Sequence, residues 1–269
     1  MRKLCWGLLL CLGTALPALG EVHWFEDVLP GVAEPWADPT AARFVADFLG
    51  TAGAARMFQL TLGSNVGILQ PTDRTWSLEG RAAMFARFDF LSPSFEFQTA
   101  DFIGGLTWRC QWAGGETEVY GFHHSAHTGD DVTAVGVPVE NISREVLRML
   151  TWYRGEAFSA YAGPRILVIS DPLWMQGKVG AQAGLQWQAG RVSLALDLLL
   201  HGEYRGDTDV TFTAGFNLSP PATRWQQVFQ IFAACGHPRP GQLEGGYANS
   251  AGCGMVVRDQ GPTIPATQP

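Results

Sequence analysis

The chain has 269 residues and a formal charge of −7, with charged side chains at 16 % and aromatics at 12 %. That acidic balance argues against nucleic acid as a partner, because phosphates are met by basic surfaces. No stretch after residue 20 has the 18 or so apolar residues of a spanning helix, which argues against a helical membrane protein.

The chain opens MRKLCWGLLLCLGTALPALG. Arg2 and Lys3 precede an apolar stretch, Leu4 to Leu12, too short to span a bilayer, and Ala18-Leu19-Gly20 fits a small-x-small cleavage site. Residues 1–20 read as a secretory signal peptide cut after Gly20. A lipoprotein signal at Cys11 is the alternative, but Leu10 stands where a small residue is required. Cleavage removes two basic residues and no acidic one, leaving 18 − 2 = 16 against 25, a charge of −9. Cys110, Cys235 and Cys253 remain. An odd number in an oxidising compartment allows one disulfide at most, and Cys235 with Cys253 would be the pair, flanking the 236–248 loop. Residues 21–41 are expected to be a periplasmic lead-in.

From there the period is two. In 75–90, TWSLEGRAAMFARFDF, the even positions run Trp76, Leu78, Gly80, Ala82, Met84, Ala86, Phe88, Phe90, against Ser77, Glu79, Arg81, Arg87 and Asp89. The same alternation marks LTWRCQW at 106–112, KVGAQAGLQWQ at 178–188, RVSLALDLLLHGE at 191–203 and DVTFTAGFN at 209–217. Alternating segments of about ten residues with ring-rich apolar faces are the pattern of strands crossing an outer membrane. Strands are predicted at 42–49, 57–70, 76–90, 102–112, 117–127, 143–154, 157–168, 177–188, 191–203, 209–218, 225–235 and 249–258. The fold class is all-β: a transmembrane antiparallel barrel of about twelve strands, with ten as the lower count. Short connections near 71–73, 113–115, 155 and 189–190 alternate with longer ones. Short periplasmic turns and longer extracellular loops follow, with both termini in the periplasm. The barrel would occupy 42–258, and 259–269 would be a disordered tail.

The predicted strand 117–127, TEVYGFHHSAH, leads into Thr128-Gly129-Asp130-Asp131. Tyr120 and Phe122 share a face with His124, and this aromatic face is expected to meet lipid. His123, Ser125 and His127 then point into the lumen. His123 and His127 would lie about 13 Å apart along the strand, too far to share a metal ion. No metal or cofactor is expected. His127 with Asp130 or Asp131 across the turn is the more natural pair. Arg144 and Arg148 share a face of 143–154, and Arg165 is expected to point inward on the next strand. Buried charge needs partners, and Glu79, Asp197 and His201 are the expected ones. The leading reading is a polar lumen cluster of His123, Ser125, His127, Asp130, Asp131, Arg144, Arg148 and Arg165 that blocks or selects a pore.

The His123-x-Ser125 spacing also resembles the catalytic pair of outer-membrane phospholipases and lipid A deacylases. That alternative casts Ser125 as nucleophile, His123 as base and Asp130 or Glu145 as orienting residue. In those enzymes the pair faces the bilayer, whereas the register assigned here turns it inward.

Several stretches occur together in order: Ala37-Asp38-Pro39, FARFDF at 85–90, HHSAHTGDD at 123–131, SREVL at 143–147, YAGPR at 161–165 and PGQLEGGY at 240–247. On these the chain resembles the outer-membrane family known as domain of unknown function 1207. It departs at Ala126, where that family has a second serine, and at Thr128 to Asp131, where it has Leu-Gly-Asp-Glu. The resemblance implies an outer-membrane β-barrel and no particular reaction. Expected partners are outer-membrane lipid, the barrel-assembly machinery and a small solute or lipid ligand. Three functions stand: a narrow or plugged channel, transporter or envelope structural protein; a lipid acyl-ester hydrolase; or a soluble periplasmic lipid-binding barrel, which needs an apolar interior.

Overall fold

The computed structural model describes residues 22–25, 34–51, 56–129, 142–220, 223–237 and 248–259. The strands are β1 (Val22–Trp24), β2 (Phe44–Thr51), β3 (Arg56–Pro71), β4 (Trp76–Asp89), β5 (Glu96–Trp112), β6 (Gly115–Thr128) and β7 (Ile142–Arg154). They continue as β8 (Phe158–Asp171), β9 (Val179–Ala189), β10 (Val192–Leu200), β11 (Thr208–Asn217), β12 (Trp225–Gly236) and β13 (Ala248–Asp259). From β2 to β13 each strand pairs antiparallel with its chain neighbours, and β13 pairs back onto β2. Twelve strands therefore close into a barrel, which removes the exposed edges an open sheet would leave. β1 adds three residues to the far edge of β3, from Val22 opposite Pro71 to Trp24 opposite Leu69.

The alternation decides which side is which. Leu194 and Leu198 on β10 are 38 % and 36 % exposed, while Arg81 on β4 and Gln182 on β9 are 7 % and 3 % exposed. Apolar side chains coat the outer wall and charged ones fill the middle, the reverse of a soluble lipid carrier. That overturns the apolar-interior alternative. Rings gather near both ends of the wall. Trp112, Tyr153, Phe158, Trp187 and Trp225 lie beside the short turns. Phe48, Phe58, Phe88, Phe95 and Phe97 contact one another at the end with the longer connections. Two such girdles flanking an apolar band match a bilayer with two interfaces. Gly114 and Gly190 take positive φ, +88° and +57°, in the tight turns between β5 and β6 and between β9 and β10.

Among the described residues, polar side chains and a chain segment occupy much of the lumen. Residues 34–43 enter it from the short-turn end, where Ala37 and Asp38 are each 1 % exposed. The Trp36 backbone N–H donates to Gln186 on β9, and the Arg258 guanidinium of β13 lies over the Trp36 ring, 4.5 Å from its centroid. Asp38 accepts from Arg148 and from Gln182, both at 3.1 Å. Part of the expected lead-in is thus a lumenal plug.

Beside the plug runs a charged network. Glu118 on β6 meets Arg81 at 3.1 Å, Arg109 at 2.8 Å and Arg148 at 2.8 Å. Arg109 also meets Glu79 and Glu116, each at 3.1 Å, and Arg154 meets Glu116 at 2.7 Å. Tyr161 donates to Asp197, which also accepts from Gln182. The partners differ from those expected. Glu79 takes Arg109, Arg148 takes Glu118 and Asp38, and Arg165 takes Glu203 at 3.4 Å. The expected bridge between Cys235 and Cys253 does not form. Cys235 stands opposite Asn249 and Cys253 opposite Ile231. A four-residue offset along β13 is about 13 Å, beyond any disulfide.

Candidate active site on the outer wall

The structure corrects the orientation of β6. The even positions point inward: Glu116, Glu118, Tyr120, His124 and Ala126 are buried. His123 and His127 are exposed and Ser125 is half-buried, all on the opposite face. The aromatics Tyr120 and Phe122, expected against lipid, sit inside. Tyr120 lies under Arg81 and Arg148, whose guanidinium carbons are 4.7 Å and 5.5 Å from its ring centroid. A strand has one register, so a single residue type cannot choose its face. Two acids decide this one. Turning Tyr120 and Phe122 outward would carry Glu116 and Glu118 into lipid and take from each of four guanidiniums a carboxylate it pairs with. Glu118 already shares the face of Tyr120 in the sequence and was the signal to read.

Outside, His123 stands opposite Glu145 of β7, and Ser125 stands opposite Ser143. His123 Nδ1 and Glu145 Oε1 are 2.8 Å apart, with both side chains 47 % exposed. Nδ1 donates when the imidazole carries its proton there, which leaves Nε2 as an acceptor. Ser125 lies two residues along the same face, about 6.6 Å away backbone to backbone. Among the described residues no hydrogen bond joins Ser125 to His123. The three groups lie within a few residues of the loop end, where β6 finishes at Thr128 and β7 begins at Ile142. Phe102, exposed on β5, stands opposite Ser125, and its ring meets that of His127 with centroids 5.8 Å apart. Polar side chains here stand on a wall made mostly of rings and aliphatics.

The remaining residues of the expected cluster divide between the two faces. Arg144, Arg148 and Arg165 point inward and are buried. Asp130 and Asp131 lie outside the described residues. The inward histidine of the run is His124. It bonds Asp101 at 2.7 Å through Nε2 and accepts from Arg144 Nε at 2.9 Å through Nδ1. His123, Ser125 and His127 are therefore not part of the lumen network, which instead uses His124, Glu118, Asp38 and Arg109.

A second group that sequence reading missed lies at the loop end of the lumen. His201 follows β10, Asp209 lies on β11, and His237 follows β12. His201 Nε2 is 2.7 Å from Asp209 Oδ2, and His237 Nδ1 is 3.1 Å from Asp209 Oδ1. His201 Nδ1 faces Glu203 at 3.0 Å. Burial pushes the Glu203 carboxyl up, but the His201 hydrogen bond and the Arg165 charge pull it down to about 2. Thirty-six residues separate the two histidines, so no local spacing announces them.

A scan of protein-family models finds no match, and a search of curated proteins finds none either. Solved structures do resemble the chain. Outer membrane phospholipase A from Escherichia coli is 11 % identical with a TM-score of 0.63, over 87 % of this chain and all of that one. An active-site mutant of the same phospholipase is 12 % identical with a TM-score of 0.66, over 87 % of this chain and 95 % of that one. The outer membrane phospholipase of Salmonella typhi, a dimer with bound calcium, is 12 % identical with a TM-score of 0.63, over 83 % of this chain and 94 % of that one. At such identities the likeness is one of fold: a twelve-strand barrel of the outer-membrane kind.

Proposed function

We propose that the chain is an outer-membrane acyl-ester hydrolase that takes lipid from the bilayer onto its outer wall, with Ser125 as nucleophile, His123 as base and Glu145 as the group that orients His123. The carrying observation is the His123–Glu145 pair at 2.8 Å on the lipid-facing side, with Ser125 two residues away. Charged groups on that face are costly at membrane depth, and a chain keeps them there for work rather than stability. The fold neighbours are outer-membrane phospholipases, which supports the reading.

The chemistry follows from the roles. Glu145 holds the His123 Nδ1–H, so Nε2 accepts the Ser125 proton as Oγ attacks an ester carbonyl. The protonated imidazole then gives that proton to the departing alcohol. Water, deprotonated by His123, next cleaves the acyl-serine to a fatty acid and restores the site. Membership of the domain-of-unknown-function 1207 family, export by the segment 1–20, residence in the outer membrane and assembly by its barrel machinery belong to the same proposal.

Turnover of phospholipid by the purified barrel in micelles tests it. Ser125→Ala abolishes turnover, Glu145→Gln lowers kcat by up to about 10⁴-fold, and His127→Ala leaves it unchanged. A fluorophosphonate labels the wild type and not Ser125→Ala. Equal rates in wild type and Ser125→Ala, or no turnover in either, end the idea. A narrow channel is the second reading, and it rests on the cavity of about 160 Å³ beyond the plug, lined by Arg144, Arg165 and His201.

A further inference from the structure

We propose that His201, Asp209 and His237 form a binding site for a borderline divalent cation of the zinc class at the loop end of the lumen. Two imidazole nitrogens and a carboxylate oxygen lie within 4.8 Å of one another. Zinc holds such ligands at about 2.0–2.2 Å, so ligand atoms around it lie a little over 3 Å apart, and small side-chain rotations close the set. Two nitrogens with one carboxylate are the donor set of open, three-ligand sites, and oxygen-seeking cations such as calcium match it poorly.

The surroundings are arranged for ligation rather than for an ordinary ion pair. A metal-bound histidine usually presents its second ring nitrogen to a carboxylate, which fixes tautomer and ring plane. Both histidines do so here. His201 turns Nε2 toward Asp209 and Nδ1 toward Glu203 at 3.0 Å, while His237 turns Nδ1 toward Asp209 and Nε2 toward Asp207 at 3.7 Å. Tyr204 stacks on the His237 ring with centroids 4.1 Å apart and fixes its plane. Gly236 has φ +146°, and a Cβ there would collide with the Asp209 carboxylate. Only glycine admits that carboxylate beside the His237 backbone N–H, which it accepts at 2.8 Å. Charge points the same way: Glu203, Asp207 and Asp209 surround the histidines, against Arg165 and Arg144. The three ligands come from the ends of β10 and β12 and the start of β11, so the ion ties three strands at the rim. Its free coordination position opens to the lumenal cavity.

The purified barrel in detergent, stripped by chelator, is dialysed against micromolar Zn²⁺ alone, and bound metal is counted by mass spectrometry. One zinc per barrel is expected. His237→Gln and His201→Ala each lose it, and His127→Ala keeps it. Glu203→Gln weakens binding about 10- to 100-fold, as loss of an orienting partner does. Cobalt added instead gives the intense visible bands of a low-coordinate nitrogen–oxygen site, and His237→Gln abolishes them. Heat-modifiable gel migration shows that each variant is folded. If His201→Ala unfolds the barrel, His237→Gln carries the test. No bound zinc, or equal zinc in wild type and folded His237→Gln, overturns the proposal.

Discussion

Removing the charge of Glu118 attacks the lumen where its network converges. Glu118→Gln keeps the shape and some hydrogen bonding but takes away the counter-charge of Arg81, Arg109 and Arg148, which approach at 3.1, 2.8 and 2.8 Å. All four side chains are buried. Within the directly ion-paired set the charges balance: Arg81, Arg109, Arg148 and Arg154 face Glu79, Glu116, Glu118 and Asp38. The variant leaves one uncompensated positive charge in a water-poor interior. Breaking a buried pair from one side costs about 3–5 kcal/mol, and three shared contacts put this case in the upper half of that range. With a urea slope of about 2 kcal/mol per molar, the unfolding midpoint falls by about 2 M. Tryptophan fluorescence of the barrel in vesicles, titrated with urea, reads the shift. Removing Arg81 as well, as Glu118→Gln/Arg81→Met, restores neutrality and recovers part of the loss. A single-variant shift below about 0.5 M, roughly 1 kcal/mol on that slope, would mean that water screens the network and that the interior is not dry.

Asp38→Ala removes the carboxylate that holds the plug to Arg148 and Gln182; ion conductance through the barrel in planar bilayers rises, and unchanged conductance refutes a plug held from this point. Leu106, 54 % exposed between Gly80 and Gly121, faces the middle of the apolar band, so Leu106→Arg lowers unfolding stability by about 2–4 kcal/mol, whereas a lumenal position would give a different pattern. The Tyr161 ring covers Gly184 on the neighbouring strand and would collide with a Cβ there; Gly184→Ala displaces the ring from Asp197 and Trp152 and destabilises by about 1–3 kcal/mol, measured by the same titration.

The amino-acid sequence by itself determined the class of fold and its inside-out character. Period-two alternation over long segments, with Leu194 and Leu198 on one face and Asp197 on the other, leaves a closed sheet in lipid as the arrangement that satisfies every backbone group. Even the short first barrel strand, near Phe44, is legible. It also offered His123 and Ser125 as a candidate pair, with Asp130 or Glu145 as the orienting residue. What tertiary structure alone decided is the direction in which they point. Strand β6 has rings and ions mixed on one face, so local polarity assigns it wrongly. The acids Glu116 and Glu118 fix the register only because Arg81, Arg109 and Arg148 come from three other strands. The same is true of the plug at Asp38 and of the trio His201, Asp209 and His237, whose members lie far apart in sequence. A period describes what one strand presents to its two sides; which side is occupied, and by what partner, is set by closure of the barrel.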